Sequence, residues 1–392
     1  MRSERRTSAG RSRRIPRWAL LLCALLVVAF GAGVTSVAVL GVGRDAPDSP
    51  RWQAGDTATE PTPAETETPA PKVISMSATG DIILGNAPGR LPPNDGKGFF
   101  DSVKSALAAD LVMGNLEEPL TEDTGAGKCG ANSSSCYQFR APPRYAAHLR
   151  DGGFHLLNQA NNHGYDYGQA GYRNTQKALE EHGLKHTGAP DQITVVDVKG
   201  VKVAVAGFSS YPWSNSLVDI PAAQKVVERA ATMADLVVVQ VHMGAEGSDK
   251  TRVRPGTEMF LGENRGDPVR FSHAMIDAGA DLIVGHGPHV LRGLEFYKGR
   301  LIAYSLGNFA GGGNTLNRSG PLGLGAVLKV SLTAEGEWVD GELISTYMNS
   351  SGLPTIDPQK RSLELVQRLC KQDFPSTGAR LDKNGRISPP GG

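Results

Sequence analysis

The apolar and polar positions of this chain fall into distinct regimes. Residues 18–42 form a run of 25 residues with no charged side chain, and a helix of about 20 apolar residues spans a bilayer's hydrocarbon core. Residues 43–72 are rich in Pro, Thr, Glu and Ala and have almost no large apolar side chains, which predicts an extended, disordered linker. From 73 to 374, short apolar runs alternate with stretches of helical period. Strands are predicted at 73–79, 111–113, 154–157, 201–208, 236–241, 282–284 and 301–304, with further β-like runs at 324–332 and 342–347. Helices are predicted at 102–109, 169–182, 222–234, 268–278 and 358–370. The last strands follow one another without helices between them, so an α/β (α+β) domain with mixed sheets is expected. Residues 375–392, rich in Gly, Pro and charge, predict a flexible tail.

Charge gives the apolar run a direction. Residues 1–17 carry seven arginines, from Arg2 to Arg17, against Glu4 alone. Basic residues flanking a span stay in the cytoplasm, so residues 1–17 read as a cytoplasmic tail, 18–42 as a single transmembrane anchor and the rest as extracellular. A cleaved secretory signal ending near Ala29-Phe30-Gly31 is the alternative, and it too delivers the domain outside the cell. The net charge of +1 gives no case for nucleic acid as a partner.

Cysteine usage fits that address. Cys129 and Cys136 lie seven positions apart in a Gly/Ser-rich stretch, where they either close a small disulfide loop or remain free thiols. Two cysteines without neighbouring ligands do not fill a zinc shell. Cys23 lies in the apolar run and Cys370 is left over.

The candidate chemistry collects where strands end. The first predicted strand runs into Gly80-Asp81, and the second into Asn115, Glu117 and Glu118. The third leads to Asn161-Asn162-His163 and Asp166. The fourth such edge brings His242 and Glu246, the fifth His286 and His289, and the sixth Asn308. In α/β folds ligands gather at the carboxyl ends of strands. Imidazole, carboxylate and amide groups without cysteine suit one or two divalent cations such as Mn, Fe or Zn. Each residue also has a plainer reading: Asp81 as a turn residue, Glu117 as a solvated loop carboxylate, His163 as part of an αL turn. Convergence on one edge is what favours a metal site. His148, His155, His182, His186 and His273 lack such company and read as surface or packing residues, while Trp213 either lines the site or packs. The segment TGAGKCG around Lys128 lacks the first Gly of a phosphate loop and the Ser/Thr after the lysine, which excludes a nucleotide-hydrolysing motor or ligase of that type.

Taken together, SATGDIILG, GNLEEPLT, NQANNHGYDYG, QVHMGAE, DAGADLIVGHGPHVLRG and AYSLGNF resemble the successive blocks of the bacterial CapA family, associated with poly-γ-glutamate and capsule production. The resemblance runs from 75 to 309. It implies a metallophosphatase-like, four-layer α-β-β-α sandwich preceded by one transmembrane helix. It implies Asp81 as a metal ligand, Glu117 as a bridging or second-metal carboxylate and Asn162 as a ligand. His242, His286 and His289 would complete two metal shells, with His163 as the acid or charge-stabilising group. Asn115, Asp166, Glu246 and Asn308 are candidates for binding substrate or supporting the ligands. Two departures stand out: Asp81 is followed by Ile82 and Ile83 instead of the Asp-x-His opening of metallophosphatases, and Gly287 stands where many relatives have another His. The expected function is capsule or poly-γ-glutamate-type polymer biosynthesis or export, with synthase components and an anionic polymer as partners. The alternatives are a secreted metal-dependent phosphoesterase or hydrolase unrelated to capsule, and a non-catalytic polyanion-binding scaffold.

Overall fold

Alternation along the central strands determines how the layers stack. In the strand Val73–Ile83, Ile74, Met76 and Ala78 point into one core, and a register shift between Ala78 and Asp81 turns Ile82 into another. In Val201–Ser209, Val203 and Val205 face the first of these cores, while Ala204, Ala206 and Phe208 face a third. Strands apolar on both faces must be covered on both. The computed structural model, which describes residues 71–130 and 136–391, shows how. Two mixed sheets pack face to face, and helices cover their outer faces.

The first sheet has eight strands. Val73–Ile83 pairs in parallel with Leu111–Leu116, which leads on through Leu156–Asn158 to Lys185–Thr187. On its other side it pairs antiparallel with Leu324–Thr333, followed by Trp338–Met348 and Pro354–Ile356. The second sheet has seven strands, with Val201–Ser209, Leu236–His242, Leu282–His286 and Arg300–Ala303 parallel at its centre. Helices Ala146–Gly152 and Gly168–Glu181 cover the first sheet, and Ile220–Ala231 and Pro268–Asp277 cover the second. Pro268–Asp277 starts at the expected residue and Ile220–Ala231 two residues before the expected 222, because Asp219 accepts a hydrogen bond from the Ala222 amide and Asp267 from Arg270, each followed by a proline in the first turn.

Several expectations need correction. The helix expected at 102–109 is only Lys104–Leu107, because Asp110 and Ser75 exchange two hydrogen bonds and draw the chain into the sheet. The helix expected at 358–370 is Arg361–Asp373, its first amide held by the Asp357 carboxylate. The stretch from 375, expected to be a flexible tail, pairs Arg380–Leu381 with Ile387–Ser388 and buries Ala379 and Ile387 in the central core. Lys185–Thr187, with no apolar residue, and the short strands Thr194–Val198 and Leu294–Tyr297, of five and four residues, lie outside the expected set because so few positions establish no alternation. The cytoplasmic tail, the anchor at 18–42 and the linker up to residue 70 lie outside the described residues.

Candidate metal centre

The site lies between the two sheets, at the carboxyl ends of their parallel strands. Asp81 belongs to the strand itself, not to a loop beyond it, because a further strand, Asn308–Gly311, joins Val73–Ile83 there and pairs Asn308 with Asp81. The junction needs glycine. A Cβ on Gly80 would sit 1.8 Å from the Gly307 carbonyl oxygen, the atom that accepts the Asp81 amide at 2.9 Å. Glu117 follows Leu111–Leu116, while His242 and His286 are the last residues of adjacent strands in the second sheet, registered side by side. His289 arrives on the Gly287-Pro288 turn. Gly287 has φ 108° and lies against the His242 ring, so the departure from His at this position follows from both backbone and space.

The structure brings these groups together. Ligand atoms of Asp81, Glu117 and His289 all lie within 4.8 Å of one another. His242 Nε2 is 3.7 Å from Glu117 Oε1, and His286 Nδ1 is 3.9 Å from Asp81 Oδ1. His289 Nε2 is 3.6 Å from both Glu117 Oε1 and Glu246 Oε2. Asn162 turns its amide nitrogen toward Glu246 Oε1 at 3.5 Å.

Supporting residues fix how the donors point. Asn308 donates to the Leu322 carbonyl, so its Oδ1 must accept from His289 Nδ1 at 2.9 Å, which aims Nε2 at the cluster. His289 Nδ1 is also 3.2 Å from Asp81 Oδ2, but its hydrogen is aimed at Asn308, and Asp81 Oδ2 stays without a hydrogen bond. Asn115 donates to Asp81 Oδ1 at 2.8 Å and accepts from Asn158 and Asn161 at 2.9 and 3.1 Å. Glu118 turns away onto the Leu84 amide, a difference between neighbouring glutamates that sequence could not show.

Burial sets the electrostatics. It pushes Glu117 well above the usual carboxylate range, with Asp81 and Glu246 adding to the rise against His289. Burial would also raise Asp81, but His289 outweighs it, with help from His242 and His286, and holds the carboxyl low. Burial keeps His242 well below its ordinary value and pushes His286 down to about 4, so both are neutral, ligand-competent imidazoles at pH 7. His289 goes the other way: burial lowers it, yet the carboxylates of Glu117, Asp81 and Glu246 raise it well above its ordinary value. An imidazolium therefore neutralises part of the cluster's negative charge.

A divalent cation fits this donor set. Asp81 Oδ2, both oxygens of Glu117, His242 Nε2, both ring nitrogens of His286 and Asn162 Oδ1 are buried without a hydrogen-bond partner. Leaving one such group unpaired costs about 1–3 kcal/mol, and here unpaired carboxylate, amide and imidazole atoms converge.

Beside the cluster, His163 Nδ1 lies 2.6 Å from Asp166 Oδ2. Asp166 also accepts from Lys128 Nζ at 2.9 Å and from the Phe139 amide at 2.8 Å, so Nδ1 carries the proton and Nε2 is the free nitrogen. Burial lowers His163 below its ordinary value despite Asp166. Cys129 and Cys136 are bonded, and their loop's flanks supply Lys128 and Phe139 to Asp166; the pair serves the His163 side of the site and not the ligand cluster. Trp213, left open by the sequence, donates to the Asn161 carbonyl at 2.9 Å and stacks between Tyr165 and Tyr211.

Sequence reasoning missed Asn158, Lys128 and Arg265. Lys128 sits in a segment that superficially resembles a phosphate loop, and nothing local signals its reach to Asp166. Arg265, 1% exposed and bonded to Glu246 Oε1 at 2.9 Å, sits in a polar stretch with no periodic signal.

A two-sheet α/β sandwich with buried oxygen and nitrogen donors at its strand ends defines the chain as a candidate metal-binding protein. Residues 75–312 match the family of the bacterial capsule synthesis protein PGA_cap, and the chain belongs to that family. It is 34% identical over 259 residues to the capsule biosynthesis protein CapA of Bacillus anthracis, covering 60% of this chain and 59% of that one. It is 32% identical over 256 residues to the PGA biosynthesis protein CapA of Bacillus subtilis strain 168, covering 60% of this chain and 63% of that one. The chain thus spans about three fifths of the length of these curated relatives. Among solved structures, the 5'-nucleotidase precursor of Thermus thermophilus overlaps 78% of this chain and 60% of its own at 16% identity and a TM-score of 0.38, too low to bear on activity.

Proposed function

We propose that this chain is a membrane-anchored, extracytoplasmic CapA-like protein that acts in the biosynthesis or export of a poly-γ-glutamate-type capsule polymer. Its working centre, in this reading, is a dinuclear divalent-cation site of metallophosphatase type. The similarity to proteins named for capsule and PGA biosynthesis supports the process. The apolar run at 18–42 with its basic flank supports the anchor, with the folded region from 73 through the C-terminal hairpin as the external domain. The observation that carries the site is the set of buried, unpartnered carboxylate, imidazole and amide atoms delivered from two sheets to one place. Polymer synthase components and the anionic polymer itself are the partners this reading implies.

Asp81, Glu117, Asn162, His242, His286 and His289 would hold the cations. When bound, divalent cations supply Lewis acidity toward a phosphoryl or carbonyl oxygen and positive charge that grips carboxylates. The chain's own residues do the rest. Asn308 and Asn115 orient His289 and Asp81. Asp166 holds the His163 proton on Nδ1, so that Nε2 faces outward to accept or return a proton. That pair favours a second reading, a metal-dependent hydrolase acting on phosphoesters or amide-like bonds.

Addition of Mn²⁺ to the full-length protein in detergent is expected to raise its melting temperature by on the order of 5 °C at a hundredfold excess over Kd, and EDTA should reverse the shift. A melting temperature indifferent to Mn²⁺, Zn²⁺ and Fe²⁺ would remove the metal centre. Hydrolysis of an aryl phosphodiester that disappears in His163→Ala would select the hydrolase. Metal binding without hydrolysis would select a non-catalytic polyanion binder.

A further inference from the structure

Arg265 is among the largest fully buried side chains of the described residues, and three of its five N–H donors, on Nε and Nη2, are unused. Nη1 is engaged: Glu246 Oε1 lies at 2.9 Å, the Tyr211 hydroxyl at 3.2 Å and Glu263 Oε2 at 3.4 Å. Nε and Nη2 have no partner. Those two nitrogens are the parallel donors on one edge of the guanidinium, the fork that grips two oxygens of a carboxylate or phosphoryl group at once. The plane of the fork is set by aromatic rings, with Tyr211 and Phe260 each 5.8 Å from the guanidinium carbon. Two buried charged donors left empty are costly, and a protein retains them where a ligand completes them.

Position ties this fork to the metal-type cluster. Glu246, the carboxylate on Nη1, has its other oxygen 3.6 Å from His289 Nε2 and its first oxygen 3.5 Å from the Asn162 amide. Glu246 is 17% exposed, so it stands at the mouth between the cluster and Arg265. Phe260 belongs to a hairpin, Met259–Phe260 with Glu263–Asn264, that pairs with no other strand among the described residues. Its tip, Leu261, is 85% exposed. The hairpin's base is fixed to the domain, where Glu258 accepts from Arg292 and the Ala245 amide and the Arg265 carbonyl accepts from the Gly244 amide, while its outer part is tied by Glu263, which accepts from the Tyr211 hydroxyl, so it is the natural cover over the fork.

We propose that Arg265 is the recognition residue for an anionic ligand at this site. Its Nε–H and Nη2–H donors take one oxyanion group, carboxylate or phosphoryl, of a ligand whose reacting or coordinated part lies at the Asp81–Glu117–His289 cluster. The Met259–Asn264 hairpin opens to admit the group and closes Phe260 over it. Glu246 orients the guanidinium from the other edge and keeps it neutralised while the fork is empty. The proposal rests on the metal-centre reading for where the rest of the ligand lies, but not for the fork itself.

The test is calorimetric titration of the full-length protein in detergent, with Mn²⁺ present and absent, using inorganic phosphate and a γ-linked triglutamate as separate probes. Arg265→Lys keeps the charge and loses the fork, so it is expected to weaken the anion that binds by about tenfold or more while leaving Mn²⁺ affinity unchanged. Whichever probe shows that loss identifies the group as phosphoryl or carboxylate. Glu246→Gln should tighten the same anion several-fold, because it removes a negative charge beside the guanidinium; this second variant decides the matter if Arg265→Lys does not fold. Equal anion affinity in Arg265→Lys and wild type would overturn the proposal. Wild type that binds Mn²⁺ but neither anion would also overturn it and leave the metal centre standing. Anion binding that depends on Arg265 in a protein that takes up no metal would support the fork and defeat the metal centre.

Discussion

Glu117→Gln is expected to make the metal-free protein more stable by about 1–3 kcal/mol and to abolish its stabilisation by divalent cations. Both oxygens of Glu117 are fully buried without a hydrogen bond, and the Asp81 and Glu246 carboxylates stand nearby. In the absence of a cation the buried carboxyl must stay charged at a cost or take up a proton, and an amide of the same shape removes that conflict. In the presence of a cation the same carboxylate is a ligand whose loss is felt directly. The two halves of the result have opposite signs, which a merely structural glutamate would not show. Urea denaturation in EDTA and again in Mn²⁺ reads both. A variant that is less stable in EDTA and still stabilised by Mn²⁺ would place Glu117 outside the centre.

Gly80→Ala should cost about 3 kcal/mol or more and take metal binding with it. Its Cβ would lie 1.8 Å from the Gly307 oxygen and 2.8 Å from the Leu306 oxygen, both backbone atoms that no rotamer change can clear. Relief requires the Val73–Ile83 and Asn308–Gly311 strands to part, which breaks the Asp81–Gly307 bond and separates Asp81 from the asparagine that orients His289. Gly89→Ala is the control, since nothing lies within 4 Å of a Cβ there, and it should change stability by less than about 0.5 kcal/mol. A Gly80→Ala protein with the wild-type urea midpoint would contradict the close approach on which the geometry of the site depends.

Much of this arrangement was legible in the residues, for physical reasons. Strands such as Leu236–His242 are buried on both faces and read as unbroken apolar runs, so a histidine at the end of one is conspicuous. Asp219-Ile220-Pro221 and Asp267-Pro268 announce helix starts through side-chain caps and a fixed φ. What stayed hidden depends on contacts between distant segments. Nothing local says that Glu117 turns inward while Glu118 bonds the Leu84 amide, or that Lys128 reaches Asp166 across 38 residues. Arg265 lies in a polar stretch and is buried only because Tyr211, Phe260 and Glu246 close around it. The C-terminal hairpin is hidden for the same reason: its few apolar residues, Ala379 and Ile387, gain their importance from the core they enter.

Diffraction from crystals grown with Mn²⁺, measured at the manganese absorption edge, tests the centre most directly. The expected result is anomalous density enclosed by Asp81, Glu117, His242, His286 and His289, with a second peak toward Asn162 if two ions bind together. Crystals with manganese in the mother liquor and no anomalous density among those side chains would contradict it.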